Sequence, residues 1–246
     1  MGVAARPGVA GAAPLPTLFF DIDNTLFDYR GAETAAAIAF HDAYAARLAQ
    51  DKAAFVRQWA DHAERYFQRY LDGELTLLQQ RRLRIMLAFG FDQTVSVSVL
   101  DHLFGRYLAY YEQSWQLFPE VPAALQLLRE FPLGIISNGD ATQQRKKLQV
   151  LGIASLFRHV VVSSDLGISK PDSRIFAEAA RLSGGTGGRC IYIGDQPDTD
   201  VRAAASAGWQ AFLVNREMVD GAPRACLLSV ARRILQDHAA GAATVS

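Results

Sequence analysis

A doubly wound α/β fold, with a parallel sheet buried on both faces and a block of helices inserted early in the chain, is the class this sequence predicts. Three observations carry it. Five short apolar runs recur along the chain, and the stretches between them have helical spacing. The alternation is broken once, for roughly 90 residues, by sequence with helical periodicity and no good strand, far too long for a connecting loop.

In chain order the runs are "PTLFF" (16–20), "LGIIS" (133–137), "HVVVSS" (159–164), "CIYIG" (190–194) and "WQAFLV" (209–214). Most are apolar on both alternations, as strands covered on both sides are, and this indicates a Rossmann-like parallel sheet. Helices are expected over 121–130, 141–151, 173–182 and 199–207. In the interruption they are expected over 32–50, 52–71, 76–89 and 93–113, with "DGE" at Asp72 and "FGFD" at Phe89 as breaks. The chain therefore divides into a core domain, 14–28 plus 118–238, and a helical domain, 29–117. The ends, 1–13 and 239–246, are expected to be disordered tails. The glycine-rich "LSGGTGG" at 182–188 lacks the lysine and the following helix of a phosphate loop and reads as a connector.

Composition narrows the partners. Half of the 246 residues are hydrophobic, enough for a core without staples, and 25 basic residues balance 25 acidic ones. No global charge argues for a nucleic acid polymer or an anionic membrane, so an anion must be captured locally. Two cysteines, Cys190 and Cys226, form no metal motif, and a reducing cytoplasm is expected. The proline-broken start has no continuous apolar stretch for a signal peptide, and no run is long enough for a membrane span.

In open α/β sheets the ligand lies beyond the carboxyl ends of the strands. There the sequence places Asp21 and Asp23, Ser137 and Asn138, and Gly194 and Asp195, with Asp198 and Asp200 close behind. "SKPD" adds Lys170. Asp21 and Asp23, two apart, point the same way from a strand end and repel unless a positive charge sits between them. Oxygen ligands without His or Cys suit Mg²⁺, which Asp21 and Asp195 could bind. Lys170, the Ser137 hydroxyl and main-chain N–H groups near Asn24 and Asn138 could then hold phosphoryl oxygens.

"DIDNTL", "SNG", "SKPD" and "GDQPDTD", in this order, resemble the four motifs of the haloacid dehalogenase superfamily, and the helical block resembles the cap carried between motifs one and two in one of its subfamilies. The resemblance implies a phosphohydrolase in which Asp21 attacks phosphorus to form an aspartyl-phosphate and Asp23 protonates the leaving oxygen, then activates water. Ser137, Asn138 and Lys170 would bind the phosphoryl group. Mg²⁺ would be held by Asp21, Asp195 and the Asp23 main-chain carbonyl, and Asp200 would support Lys170 or a metal-bound water.

The substrate implied is a small phosphorylated metabolite, of nucleoside monophosphate or sugar phosphate type, turned over by a monomer or homodimer. A phosphomutase or a dehalogenase of the same superfamily remains open, although dehalogenases proper generally lack an acid at the Asp23 position. From another class, so does a phospho-acceptor signalling or binding protein. Blander roles are expected elsewhere: Asp28 and Asp198 as helix caps, the five scattered histidines as non-ligands, and "QQRRLR" at 79–84 as a solvated helix face. Of Trp59, Tyr66, Phe67, Tyr70, Tyr107, Tyr110 and Tyr111, most are expected in the core of the helical block.

Overall fold

The computed structural model describes residues 15–184, 190–219 and 222–243. Strands β1 (Thr17–Phe20), β2 (Leu133–Ser137), β3 (His159–Val162), β4 (Cys190–Gly194) and β5 (Gln210–Leu213) pair in parallel in the order β3-β2-β1-β4-β5. β1 is central, flanked by β2 and β4, so the segments that follow these three strands meet at one edge.

Successive residues of β1 serve different layers, as the strand period of two requires. Leu18 and Phe20 join Leu133, Ile135 and Ile193 on one face, which is covered by α5 (Val121–Leu127) and α10 (Leu227–Ala243). Phe19 joins Ile136 and Tyr192 on the other, beneath α8 (Ser173–Ser183) and the short α9 (Ala203–Ser206). A side chain at Gly134 would run into the Phe19 ring, with its Cβ 2.4 Å from Cε1, so β2 can lie against β1 only with glycine there.

Between β1 and β2, helices α1 (Tyr29–Tyr44), α2 (Lys52–Leu71), α3 (Leu77–Phe89) and α4 (Val97–Gln113) pack around Phe40, Phe55, Trp59, Ile85 and Tyr107. Asp28 caps α1 by accepting from Gly31 N at 2.9 Å, as expected. Thr76 and Gln79 form a reciprocal capping box at the start of α3. The two chain crossings between the block and the sheet pair with each other: Asp28 N donates to Gln116 O at 3.1 Å and Phe118 N to Leu26 O at 3.2 Å.

Several expectations need correction. α1 stops at Tyr44 and gives way to a 3₁₀ turn, Ala45–Arg47, short of residue 50. α4 starts at Val97 rather than at 93. β3 ends at Val162 because Ser163 and Ser164 begin α7 (Ser163–Leu166), where their hydroxyls accept from Gly139 N and Ala141 N. The expected helix over 199–207 is a π-helix, Pro197–Arg202, continued by α9. Pro171 lies ahead of α8, which Asp172 caps. An antiparallel hairpin, β6 (Asn215–Val219) with β7 (Ala222–Ala225), was not expected at all. α10 carries helix to Ala243, through part of a stretch expected to be a tail. The run 79–84 is no solvated face, since Gln80 and Arg84 are buried. Residues 1–13 and most of the glycine-rich connector lie outside the described residues.

Candidate active site

The centre of the site is Lys170. Only 4% exposed, it directs its three ammonium donors to Asp21 Oδ1 at 2.8 Å, Asp200 Oδ1 at 2.7 Å and Tyr192 OH at 2.8 Å. Asp21 comes from the end of β1, Tyr192 from the middle of β4 and Asp200 from the turn after β4. Asp21 follows β1, with its N–H bonded to Ile193 O at 2.9 Å. Asp200 lies in the π-helix after β4, and its other oxygen accepts from Gln196 N at 3.0 Å. This approach requires glycine at 194, where a Cβ would lie 2.3 Å from Asp200 Oδ2.

Carboxylate oxygens of Asp21, Asp195 and Asp200 lie within 4.8 Å of one another. Three acids around one lysine leave negative charge uncompensated. Burial first, and then Asp200 and Asp195 against the opposing pull of Lys170, push Asp21 up to about 8. Burial and Asp200 push Asp195 up to about 6. Burial pulls Lys170 down, but Asp200 and Asp21 outweigh it and hold its pKa well above the usual lysine value. The all-oxygen cluster fits a hard divalent cation. Asp200, 1% exposed and bonded on both oxygens, is the partner committed to Lys170, which leaves Asp21 and Asp195 to face a metal.

Asp23 stands apart from that cluster. Its side chain accepts from Lys147 Nζ at 2.5 Å and Gln144 Nε2 at 3.0 Å. Gln144 also donates to Ser137 Oγ at 2.9 Å, so the same amide links the second acid to the hydroxyl after β2. The Asn138 side chain does not face a ligand: it bridges to the Lys170 main chain, receiving from Lys170 N at 2.8 Å and donating to Lys170 O at 2.9 Å. Only its main-chain N–H is left for a phosphoryl oxygen. Asn24, at φ 59°, turns the chain after Asp23. Asp198 is exposed and paired with Arg202.

Four contributors escaped sequence reasoning. Gln144 and Lys147, three apart in α6 (Ala141–Val150), share the face that reaches Asp23, and both are buried in an otherwise polar helix, which nothing in the sequence signalled. Tyr192 looked like one more apolar strand residue. Its hydroxyl donates to Ile136 O at 2.8 Å, locking β4 to β2 across β1. Arg216, on the unforeseen hairpin, donates to Asn24 O at 3.2 Å and Thr25 O at 2.7 Å, pairs with Glu120 and covers the Phe118 ring at 3.4 Å. It ties the turn after Asp23 to the return crossing from the helical block.

Among the described residues no helix is long and apolar enough to cross a membrane, and the acidic cluster contains no histidine.

Comparison with known proteins gives the family. The family profile for haloacid dehalogenase-like hydrolases matches residues 15–208. The glyceraldehyde 3-phosphate phosphatase of Methanothermobacter thermautotrophicus is 29% identical over 215 residues, covering 84% of this chain and 88% of that protein. The Escherichia coli pyrimidine 5'-nucleotidase YjjG is 26% identical, covering 83% and 89%. The magnesium-bound Bacillus subtilis HAD-hydrolase YfnB superposes with a TM-score of 0.73 at 23% identity, over 91% of this chain and all of that one, and so shares the fold. The chain belongs to the haloacid dehalogenase-like hydrolase family.

Proposed function

We propose that this hydrolase is a Mg²⁺-dependent phosphatase that releases phosphate from a small phosphorylated metabolite through an aspartyl-phosphate on Asp21. The phosphatase assignment follows from the family and from relatives that are phosphatases. The observation that carries the finer reading is the buried Lys170, bonded at once to Asp21 and Asp200, beside Asp195.

In this reading an Asp21 oxygen attacks phosphorus while the ester oxygen leaves with a proton from Asp23. Water, deprotonated by Asp23, then cleaves the acyl-phosphate, and inorganic phosphate departs. Lys170 holds Asp21 in line and contributes its charge, while Ser137 and the main-chain N–H of Asn138 bind the phosphoryl oxygens. Lys147 and Gln144 orient the carboxylate of Asp23. Mg²⁺, held by Asp21, Asp195 and the Asp23 carbonyl, would neutralise phosphoryl charge. An acid at the Asp23 position favours phosphoryl transfer over dehalogenation, because an alkoxide leaving group needs a proton and a halide does not. The helical block, residues 29–117, serves as the cap over this edge and selects the leaving group. The substrate is then a nucleoside monophosphate or a sugar phosphate.

The test is phosphate release from a panel of metabolite monoesters, with Mg²⁺ and with chelator. Wild type should turn over only with Mg²⁺, and Asp21→Asn should lose activity by on the order of 10⁴-fold or more. Equal release by both proteins would remove Asp21 as the nucleophile.

A further inference from the structure

The run "QQRRLR" at 79–84 supplies a buried cation that nothing in the phosphoryl-transfer scheme uses. Arg84 is 6% exposed, with its guanidinium 4.4 Å from the centroid of Trp59 and 5.4 Å from that of Tyr107. Among the described residues the one acid at ion-pair distance is Glu33, 3.7 Å from Arg84 Nη2 and beyond hydrogen-bond reach. Arg84 Nε and Nη2 make no hydrogen bond of normal geometry, nor do the neighbouring Trp59 Nε1 and Gln80 Oε1, although Arg84 and Trp59 both act at longer range on the Tyr107 hydroxyl. Arg81, one turn earlier on the same face of α3, lies 5.2 Å from the Phe104 centroid, and no acid pairs with it among the described residues. The strongest acidic influence on Arg81 comes from Asp140, the cap of α6 in the loop after Ser137 and Asn138.

The chain of contacts from Arg84 leads back to the reacting centre. Glu33 accepts from Tyr29 OH at 2.8 Å, the Tyr29 ring lies 5.8 Å from Lys147 Nζ, and Lys147 holds Asp23. Glu33 stands at 3.7 Å from Arg84 and Asp140 acts on Arg81 only at longer range, so neither guanidinium is closely paired. Buried donors of a charged group are costly to leave unmade. A planar carboxylate, satisfying Nε and Nη2 together, is the ligand that matches the fork geometry. An uncharged nucleoside or polyol would leave the guanidinium without a charged acceptor.

We propose that Arg84, assisted by Arg81 and Trp59 Nε1, is the leaving-group subsite of this enzyme and binds a carboxylate on the substrate. The substrate class is then the phosphate monoester of a hydroxy acid, such as a phosphorylated short hydroxy acid or an acidic sugar phosphate. This rests on the phosphatase reading and narrows its substrate.

The experiment pairs each phosphorylated hydroxy acid, from three to nine carbons, with the phosphate ester of the matching neutral alcohol or sugar. In at least one pair the wild type should favour the acid in kcat/KM. Arg84→Met should shrink that preference by on the order of 10–100-fold, mainly through KM, while Arg84→Lys retains part of it. Arg81→Met should shrink it less and guards against a misfolded Arg84 variant. No preference in any pair, or equal loss on both members of a pair, overturns the subsite and leaves the phosphatase intact. If neither member of any pair is hydrolysed, the phosphatase reading fails separately. Calorimetry on Asp21→Asn then decides the subsite alone: tighter binding of the acid ester, abolished by adding Arg84→Met, supports it, and equal binding of both esters overturns it.

Discussion

Lys170 and Arg84 are both buried cations, and the protein treats them in opposite ways. At the sheet edge every donor of Lys170 is met by the protein itself. In the helical block Arg84 rests on aromatic faces with two donors unmet. The first site is complete before a substrate arrives, as a group that must hold a nucleophile in line has to be. The second is completed only by something the chain does not supply. On the proposed reading, the phosphoryl chemistry is built into the folded core and the choice of leaving group is left to the insertion.

The contrast predicts opposite stabilities. Lys170→Met leaves Asp21 and Asp200 facing each other in a dry pocket, and removing one partner of a buried ion set costs about 3–5 kcal/mol. Arg84→Met removes a cation that is not hydrogen-bonded to any acid, and Glu33, its partner at 3.7 Å, keeps the bond from Tyr29. The substitution keeps the packing on Trp59, and its effect on the ligand-free protein should stay within about 1 kcal/mol. Thermal or urea unfolding of the two variants checks this directly. An Arg84→Met loss as large as that of Lys170→Met would erase the distinction.

Gly194→Ala attacks the core side without touching a charge. The new methyl would sit on the Asp200 carboxylate, and overpacking of this kind costs about 1–3 kcal/mol. Phosphate release should fall with it, because Asp200 anchors Lys170. Crystallography of the variant, or simply an unchanged turnover, would tell whether Asp200 needs its present position.

Arg216→Ala probes the joint between the two regions. Arg216 fixes the main chain of Asn24 and Thr25 and packs on Phe118, so its loss should loosen both the turn after Asp23 and the crossing into the helices. Misplacement of this order lowers kcat by about 10–100-fold. As a positioning residue it should leave the metal requirement unchanged, and Arg216→Lys should recover part of the rate. A pure KM effect would place it in substrate binding instead.

The two regions also differed in how far the sequence disclosed them. Asp21, Asp195 and Asp200 could be read because strand ends must converge at one edge and acids beside an apolar run are conspicuous, and Lys170 through its place before Pro171 in "SKPD". Lys147, Gln144 and Arg84 were hidden, since each lies in a polar helical stretch where a solvated face is the ordinary outcome. Their burial comes from tertiary packing of one helix against another, which no periodicity records. The β6–β7 hairpin carrying Arg216 was missed for a related reason: "NREMV" and "APRA" lack strong alternation, and a proline sits in the second strand.

The last expected effect is a pH dependence confined to the core. Asp21, pushed up to about 8 from an ordinary value of 3.8, keeps its proton in the folded, metal-free protein across a range where the unfolded chain has lost it. The folded state therefore binds more protons than the unfolded one between about pH 4 and 8. Stability falls as pH rises through that window, and Asp195, at about 6, adds to the lower half of it. Mg²⁺ competes with these protons, so its stabilising effect should grow over the same interval. Thermal melts in chelator should drop by several degrees from pH 5 to pH 8, about 2–4 °C for each kcal/mol in a chain of this size. In saturating Mg²⁺ the drop should be smaller. Asp21→Asn cannot titrate and should flatten the chelator curve, while Arg84→Met should leave its slope as in wild type. A slope that survives Asp21→Asn, or disappears with Arg84→Met, would move the titrating charge out of the core and dissolve the division drawn between the two buried cations.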